Sequence, residues 1–237
     1  MWTPSELASE AGSYGRRVIR IIEAQHRIST NRLAANAADQ ALLEALADEV
    51  KPNLPESVRH LPWLLASPFR YGLGRPSRFR AADVLPGILY ASEDVETAVT
   101  EAAYWRLVAF GRSPGFQRPR TPTPMSAFSV LVRSDRVLDL LAGRLAADDA
   151  AWVHPSDYTG TQALAAAARE GGIAAIRARS ARRRAGVNLA VIDPAAFASP
   201  PRPHSSWVFL ATPEGLIATR ELSDEALRFA VAELLPG

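Results

Sequence analysis

The sequence predicts an α+β fold, a mixed β-sheet core with flanking helices, preceded by a helical N-terminal extension. Three observations predict it. The first fifty residues carry apolar side chains at helical spacing with charge on the opposite faces. The segment 51–57 (KPNLPES) then places Pro52 and Pro55 close together, which stops helix and marks a connector. Beyond it the texture changes to short extended runs punctuated by Gly and Pro. At 237 residues, 48% hydrophobic and a net charge of +2, the chain can bury a sizeable core and lacks the composition of a disordered one. The expected division is a helical N-terminal extension over 1–57 and a main domain over 58–237.

The elements follow in order. From Tyr14 to Ile28 the residues Val18, Ile21, Ile22 and Ile28 recur at helical spacing against an arginine-rich face, and this predicts an amphipathic helix. A second helix runs from about Ala37 to Val50, with Leu42, Leu43, Leu46 and Val50 on one side. Past the connector, Ser67–Tyr71 reads as a first strand and Gly87–Ala91 as a second. Ser92-Glu93-Asp94 is a helix-start cluster, followed by Val95, Ala98, Val99 and Ala102 at helical spacing, so Glu101 sits inside a helix. A surface loop, PGFQRPRTPTP, leads into the alternating run Ala127–Val132, a strand. Thr159–Glu170 is an alanine-rich helix closed by Gly171-Gly172, and Ile173–Ala178 and Val187–Asp193 read as neighbouring strands. Trp207–Leu210 and Gly215–Leu222 form a hairpin before a C-terminal helix that starts at Ser223. No internal repeat is evident.

Composition removes several chemistries. There is no cysteine, hence no disulfide framework, no thiolate nucleophile and no thiolate zinc site. The four histidines, His26, His60, His154 and His204, fall on no metal-binding spacing. No secretory signal and no run of about eighteen apolar residues is visible, so a cytoplasmic protein without membrane partners is expected. Gly72-Leu73-Gly74 lacks the third glycine of a dinucleotide fingerprint, and both a phosphate-binding P-loop and a GxSxG elbow are missing. Lysine occurs once, at Lys51, so 26 of the 27 basic residues are arginine, which reads chiefly as compositional bias. The run Arg177, Arg179, Arg182, Arg183 and Arg184 has no interleaved aromatics and reads as a solvated loop, so no nucleic acid is expected to bind directly.

What remains is a set of polar residues at the ends of extended segments: Arg70-Tyr71, Ser77-Arg78-Phe79-Arg80, Tyr90, Glu101, Ser180 and Asn188. Arginines beside a Gly-rich loop grip a diphosphate through forked hydrogen bonds, and a tyrosine offers a stacking face to an aromatic base. Glu101, beside Val99, Ala102 and Ala103, is either a solvated helix residue or a carboxylate that needs a cation nearby. From pattern alone Tyr90 and Ser180 read first as core packing and a turn hydroxyl, and only second as site residues.

The ordered series SRFR, PGILYASEDVETAVTEAAYWR and TQALAAAAREGGIAAIRARSARRRAGVNLAVIDP resembles the RES domain family, over roughly residues 67–197. Ser77-Arg78-Phe79 is similar to the family's glycine-arginine-aromatic motif. Tyr90 to Glu101 keeps the eleven-residue step, Thr161-Gln162-Ala163 the TQ-A helix, and Ser180 to Asn188 the eight-residue step. Ser77 stands where glycine is common, Phe79 where tryptophan is, and Arg179 where proline is, and both Arg78 and Arg80 are candidates for the motif arginine. The resemblance implies an ADP-ribosyltransferase-like fold and a toxin of a type II toxin–antitoxin pair that splits NAD+ at the nicotinamide–ribose bond by phosphorolysis or hydrolysis. It implies no cofactor: NAD+ is the substrate, with inorganic phosphate or water as acceptor, and no metal takes part. Carried onto this chain, Arg70 and Arg78 hold the pyrophosphate, helped by Tyr71 and Arg80, and Tyr90 packs against the nicotinamide end. Glu101 stabilises the ribosyl cation, and Ser180 and Asn188 orient substrate. The implied partner is an Xre-type helix-turn-helix antitoxin; a homodimer is left open. Two further readings stand beside this one: an ADP-ribosyltransferase acting on a macromolecule, and a non-catalytic nucleotide-binding or interaction module.

Overall fold

The computed structural model describes residues 2–24, 36–49, 51–71, 74, 76–112 and 121–235. The chain opens with a short helix, α1 (Pro4–Glu10), fixed by a capping box in which Thr3 and Glu6 satisfy each other's backbone N–H groups. It continues directly into a strand, β1 (Gly12–Glu23). This corrects the helix expected over Tyr14–Ile28, of which the last four residues lie outside the described ones. The reason is physical: β1 is covered on both faces, with Val18 in one core and Ile19 and Ile21 in another, so apolar residues fall on consecutive positions and mimic helical spacing. Its ladder with β3 (Thr123–Asp139) runs unbroken from Tyr14↔Ser134 to Glu23↔Met125, a gain no isolated helix matches. The helical extension expected over 1–57 is corrected with it, because residues 12–23 are part of the central sheet. The second expected helix is present as α2 (Ala37–Glu49), but Leu42 and Leu46 on its apolar side are exposed.

The remaining strands are β2 (Leu89–Ser92), β4 (Ala175–Arg179), β5 (Val187–Val191), β6 (Arg202–Ala211), β7 (Gly215–Arg220) and β8 (Ala226–Ala230). They form one mixed sheet in the order β1-β2-β5-β4-β3-β6-β7-β8, and β1 also pairs β3. The first five strands therefore close into a ring. The long β3 is the branch point: one edge meets β1, while the other is shared between β6, over Thr123–Ser129, and β4, over Val137–Asp139. The β3–β4 pair is parallel and every other pairing is antiparallel. The mixed sheet with flanking helices is the fold class expected.

Helices cover this sheet in three places. α3 (Trp63–Arg70) lays Leu65 and Phe69 against Leu89, Val130 and Val191. This corrects the strand expected at Ser67–Tyr71. Phe69 is fully buried on the apolar face of a helix whose N-terminus follows Pro62, and the chain turns extended only at Tyr71. α6 (Thr159–Glu170) packs Leu164 and Ala165 with Leu7 of α1 over Ile176, Ala178 and Ala190. α4 (Val95–Gly111) packs Val99, Ala103 and Leu107 against Trp207, Phe209 and Leu216. Asp94 caps α4 by accepting the Thr97 backbone N–H at 2.7 Å, as the start cluster predicts. Between β3 and β4 the chain also makes α5 (Asp149–Trp152), which seats Trp152 in the core with α6. The helix expected from Ser223 is corrected to β8 followed by a single turn, α7 (Val231–Leu234). Leu227 and Phe229 alternate with more exposed neighbours and pack on the α4 core, a period of two. Among the described residues, no helix is long and apolar enough to cross a membrane.

Candidate active site

A cleft of about 370 Å³ opens between the α4 core and the α6 core. β1, β2 and β5 supply its floor, α4 one wall, and the loops around Ser77–Phe79 and Ala181–Arg182 its rim. Among the described residues, the acid lining it is Glu101, on the middle of α4. Its Oε1 accepts two short hydrogen bonds, from Ser180 Oγ at 2.6 Å and from Asn188 Nδ2 at 2.6 Å. These two short bonds fix the side chain's orientation, and among the described residues Oε2 has no hydrogen-bond partner.

Each holder of Glu101 is itself held. The β2–β5 register sets Ser92 beside Asn188, and Ser92 Oγ donates to Asn188 Oδ1 at 2.7 Å, which leaves the amide nitrogen to face the glutamate. Ser180 lies just past the end of β4, where its Oγ also accepts the backbone N–H groups of Arg182 and Arg183 at 3.0 and 3.1 Å. The turn closes through Ser180 N–H to Gly186 C=O at 2.8 Å. Gly186 has no room for a side chain: a Cβ there would sit 2.6 Å from Thr97 Oγ1. Arg183 then ties the loop to the start of α4 through Thr97 and Glu96.

Three guanidinium groups line the cleft. Arg78 donates to Trp152 C=O and to Arg179 C=O, and burial lowers its pKa. Arg20, on β1, donates to Tyr90 C=O at 2.7 Å, and burial pulls its pKa down to about 10. Arg182 lies over the Tyr104 ring, 3.6 Å from its centroid, and donates to Pro155 C=O and Tyr158. Among the described residues, none of the three has a carboxylate within ion-pair distance.

The structure sorts the residues expected from sequence. Glu101, Arg78, Tyr90 and Asn188 line the cleft, and Ser180 reaches it through Glu101. Tyr90 is pinned from Ser77 Oγ at 2.8 Å and Phe79 N–H at 3.1 Å, and burial raises its pKa. Gln162 of the TQA motif bonds the carbonyls of Ser77 and Arg80, so this motif holds the arginine loop rather than touching the cleft. Arg80 is buried and donates to Ala81 and Val84 carbonyls, so of the two motif candidates it is Arg78 that lines the cleft. Arg70 and Tyr71 do not reach it: Arg70 ends α3 with its guanidinium 5.4 Å from the Trp63 ring, and Tyr71 is half exposed outside. Sequence reasoning missed Arg20, Tyr104, Trp105, Tyr158 and Arg182. Arg20 was visible as an arginine between Ile19 and Ile21, a polar position in a two-faced strand, but only a strand reading of that segment exposes it. Among the described residues, no cluster of three or more metal-ligating side chains occurs.

The family model of the RES domain matches residues 54–210 of this chain. Among solved structures, the chain is similar to one in the crystal structure of the M. tuberculosis MbcT–MbcA toxin–antitoxin complex. The two are 14% identical, with 86% of this chain and 89% of that chain covered and a TM-score of 0.47. No curated protein matches. The match to the family begins after β1, so Arg20 lies outside it.

Proposed function

This chain belongs to the RES domain family, and from that premise we propose that it is a toxin-type enzyme that cleaves NAD+ at the nicotinamide–ribose bond, on an ADP-ribosyltransferase-like fold. The observation that supports the reading is one fixed carboxylate, Glu101, in a cleft lined by three arginines that, among the described residues, have no acid within ion-pair distance. Such a cleft suits a ligand that is anionic over most of its length and develops positive charge at one atom.

In this reading Arg20 and Arg78 bind the pyrophosphate with the N–H groups not spent on carbonyls. Tyr90, immobilised by Ser77 and Phe79, packs at the nicotinamide end. The C1′–N bond breaks with its electron pair passing to the pyridine nitrogen, so nicotinamide leaves neutral and needs no general acid. Glu101, held by Ser180 and Asn188, faces the ribosyl cation that remains, and a preorganised charge of this sort costs no reorganisation at the moment of reaction. An oxygen of water or inorganic phosphate then bonds to C1′, giving ADP-ribose after loss of a proton to solvent, or ADP-ribose 1″-phosphate. Neutralisation by a helix-turn-helix antitoxin of Xre type completes the proposal, since an uncapped activity of this kind drains the cell's NAD+.

The test is to incubate the purified chain with NAD+, with and without phosphate, and follow nicotinamide release and the ribosyl product. Nicotinamide release with free ADP-ribose or its 1″-phosphate is expected. Label retained on the protein or on a macromolecule, or no nicotinamide release at all, would overturn it.

A further inference from the structure

One turn along α4 from Glu101, the cleft wall changes character. Trp105 lies on the same helical face, four residues on, and lines the cleft while remaining 43% exposed. Tyr104 meets it edge-to-face with centroids 5.2 Å apart, and the Arg182 guanidinium lies on the Tyr104 ring. Tyr158 anchors Arg182 from the other side. The mouth of the cleft is thus a wall of aromatic faces and one planar cation, set in place by contacts within the protein and open to solvent.

We infer that this mouth is a base-stacking subsite that takes the second heterocycle of a dinucleotide, an adenine-type purine. The inference rests on the nucleotide reading of the cleft given above and names the part of the ligand that takes no part in the chemistry. The cleft of about 370 Å³ is near the lower end of ligand pockets, about 300–1,000 Å³, and it is open to solvent on one side. The reacting half and its phosphates therefore take the part of the cleft beside Glu101, Arg20 and Arg78, and the second base the part walled by Tyr104, Trp105 and Arg182. A purine has a π-face and no charge at neutral pH, so an exposed indole and a guanidinium plane bind it by stacking with little demand on hydrogen-bond geometry.

The experiment uses the full chain and two probes. AMP carries the base and no nicotinamide; nicotinamide mononucleotide carries the reacting half and no second base. Titration calorimetry is expected to show AMP binding weakened about tenfold or more in Trp105→Ala, with most of the loss recovered in Trp105→Phe, as stacking contributions measured by alanine substitution imply. In turnover, Trp105→Ala is expected to lower the ratio of kcat/KM for NAD+ over that for the mononucleotide by a similar factor. AMP that fails to bind the parent, AMP that binds parent and Trp105→Ala alike, or an unchanged ratio would each overturn the subsite while leaving NAD+ cleavage standing. Trp105-dependent AMP binding without nicotinamide release in the parent would retain the subsite and overturn the cleavage reading instead.

Discussion

Replacing Glu101 by Gln removes one charge and little else. The glutamine carbonyl can occupy the Oε1 position and keep accepting from Ser180 and Asn188, so the bonds that seat α4 against the loop survive. What is lost is the attraction between a carboxylate and a cation. At a contact of about 4 Å and an effective dielectric of about 20, that attraction is about 4 kcal/mol, and at about 6 Å it is about 3 kcal/mol. NAD+ already carries positive charge on its pyridinium ring, so part of this interaction exists before reaction. Only the increment as charge moves onto the ribose accelerates the bound complex. With 1.36 kcal/mol per decade, Glu101→Gln is expected to lower kcat/KM about a thousandfold and kcat about tenfold. Initial rates of nicotinamide release across an NAD+ series measure both, and a melting curve controls for folding, where the midpoint is expected to stay close to the parent's. A folded Glu101→Gln protein whose kcat/KM lies within about threefold of the parent would refute the assignment of the carboxylate.

Arg20 gives a paired expectation: because burial of its unpaired cation opposes folding, Arg20→Met should raise the melting midpoint by a few degrees while raising the KM for NAD+ by tenfold or more, whereas Arg70→Met, outside the cleft, should leave both kinetic constants within about twofold. Gly186→Ala forces a methyl group against Thr97 and Ser180, so it should cost about 1–3 kcal/mol of stability in denaturant titration and lower kcat as the Ser180 turn shifts off Glu101. Glu93 concerns pH: burial resists its ionisation, but hydrogen bonds and charge from Arg177, with the Tyr14 hydroxyl, outweigh this and hold its pKa below the usual 4.5. A depressed carboxylate pKa stabilises the fold above the unfolded-state value and loses that contribution as pH falls through the folded one. Glu93→Gln should therefore melt lower than the parent at pH 7, with the difference shrinking below pH 4.5; a constant difference across that range would sink the linkage. A chain beginning at residue 54, where the family match starts, should fail to fold by circular dichroism, because it lacks the strand between β2 and β3.

Much of the fold was legible where local signals agree with tertiary demand. α4 has both a capping Asp94 and an apolar spacing, and α6 has a glycine stop, so their sequences and their places coincide. The failures at β1 and β8 share one cause. β1 and β8 pair with partners more than a hundred and about ten residues away, respectively, and that pairing decides between helix and strand when the apolar pattern fits both. For α3, a short apolar run with an internal Pro68 fits strand and buried helix alike. The candidate site shows the same division. Glu101, Ser180 and Asn188, singled out by the family resemblance, do meet in space, because α4 and the turn between β4 and β5 hold them together. Arg20 was not singled out, since it enters the cleft only through the long-range register of β1, and Arg70 was favoured because it is near the motif in sequence though not in space.

The arginine excess then acquires a meaning that composition alone did not carry. Arg177 is paired with Glu93 and Asp139, Arg179 with Asp149, Arg183 with Asp94 and Glu96, and Arg106, Arg144 and Arg220 each with a glutamate. Those arginines have their fields cancelled close to home. Among the described residues, Arg20, Arg78 and Arg182 make their hydrogen bonds and ring contacts to carbonyls, a hydroxyl and an aromatic face, and none is in an ion pair, although Glu101 across the cleft attracts Arg78. A carbonyl partner fixes the guanidinium in place, and the missing carboxylate leaves it positive toward the cleft. Desolvation makes such groups expensive to keep, as the lowered pKa of Arg20 and of Arg78 registers, and an anionic ligand is what relieves that cost. Arg20 and Arg78 should therefore be the positions at which neutral replacement trades binding for stability, and the paired arginines the ones at which replacement costs stability alone.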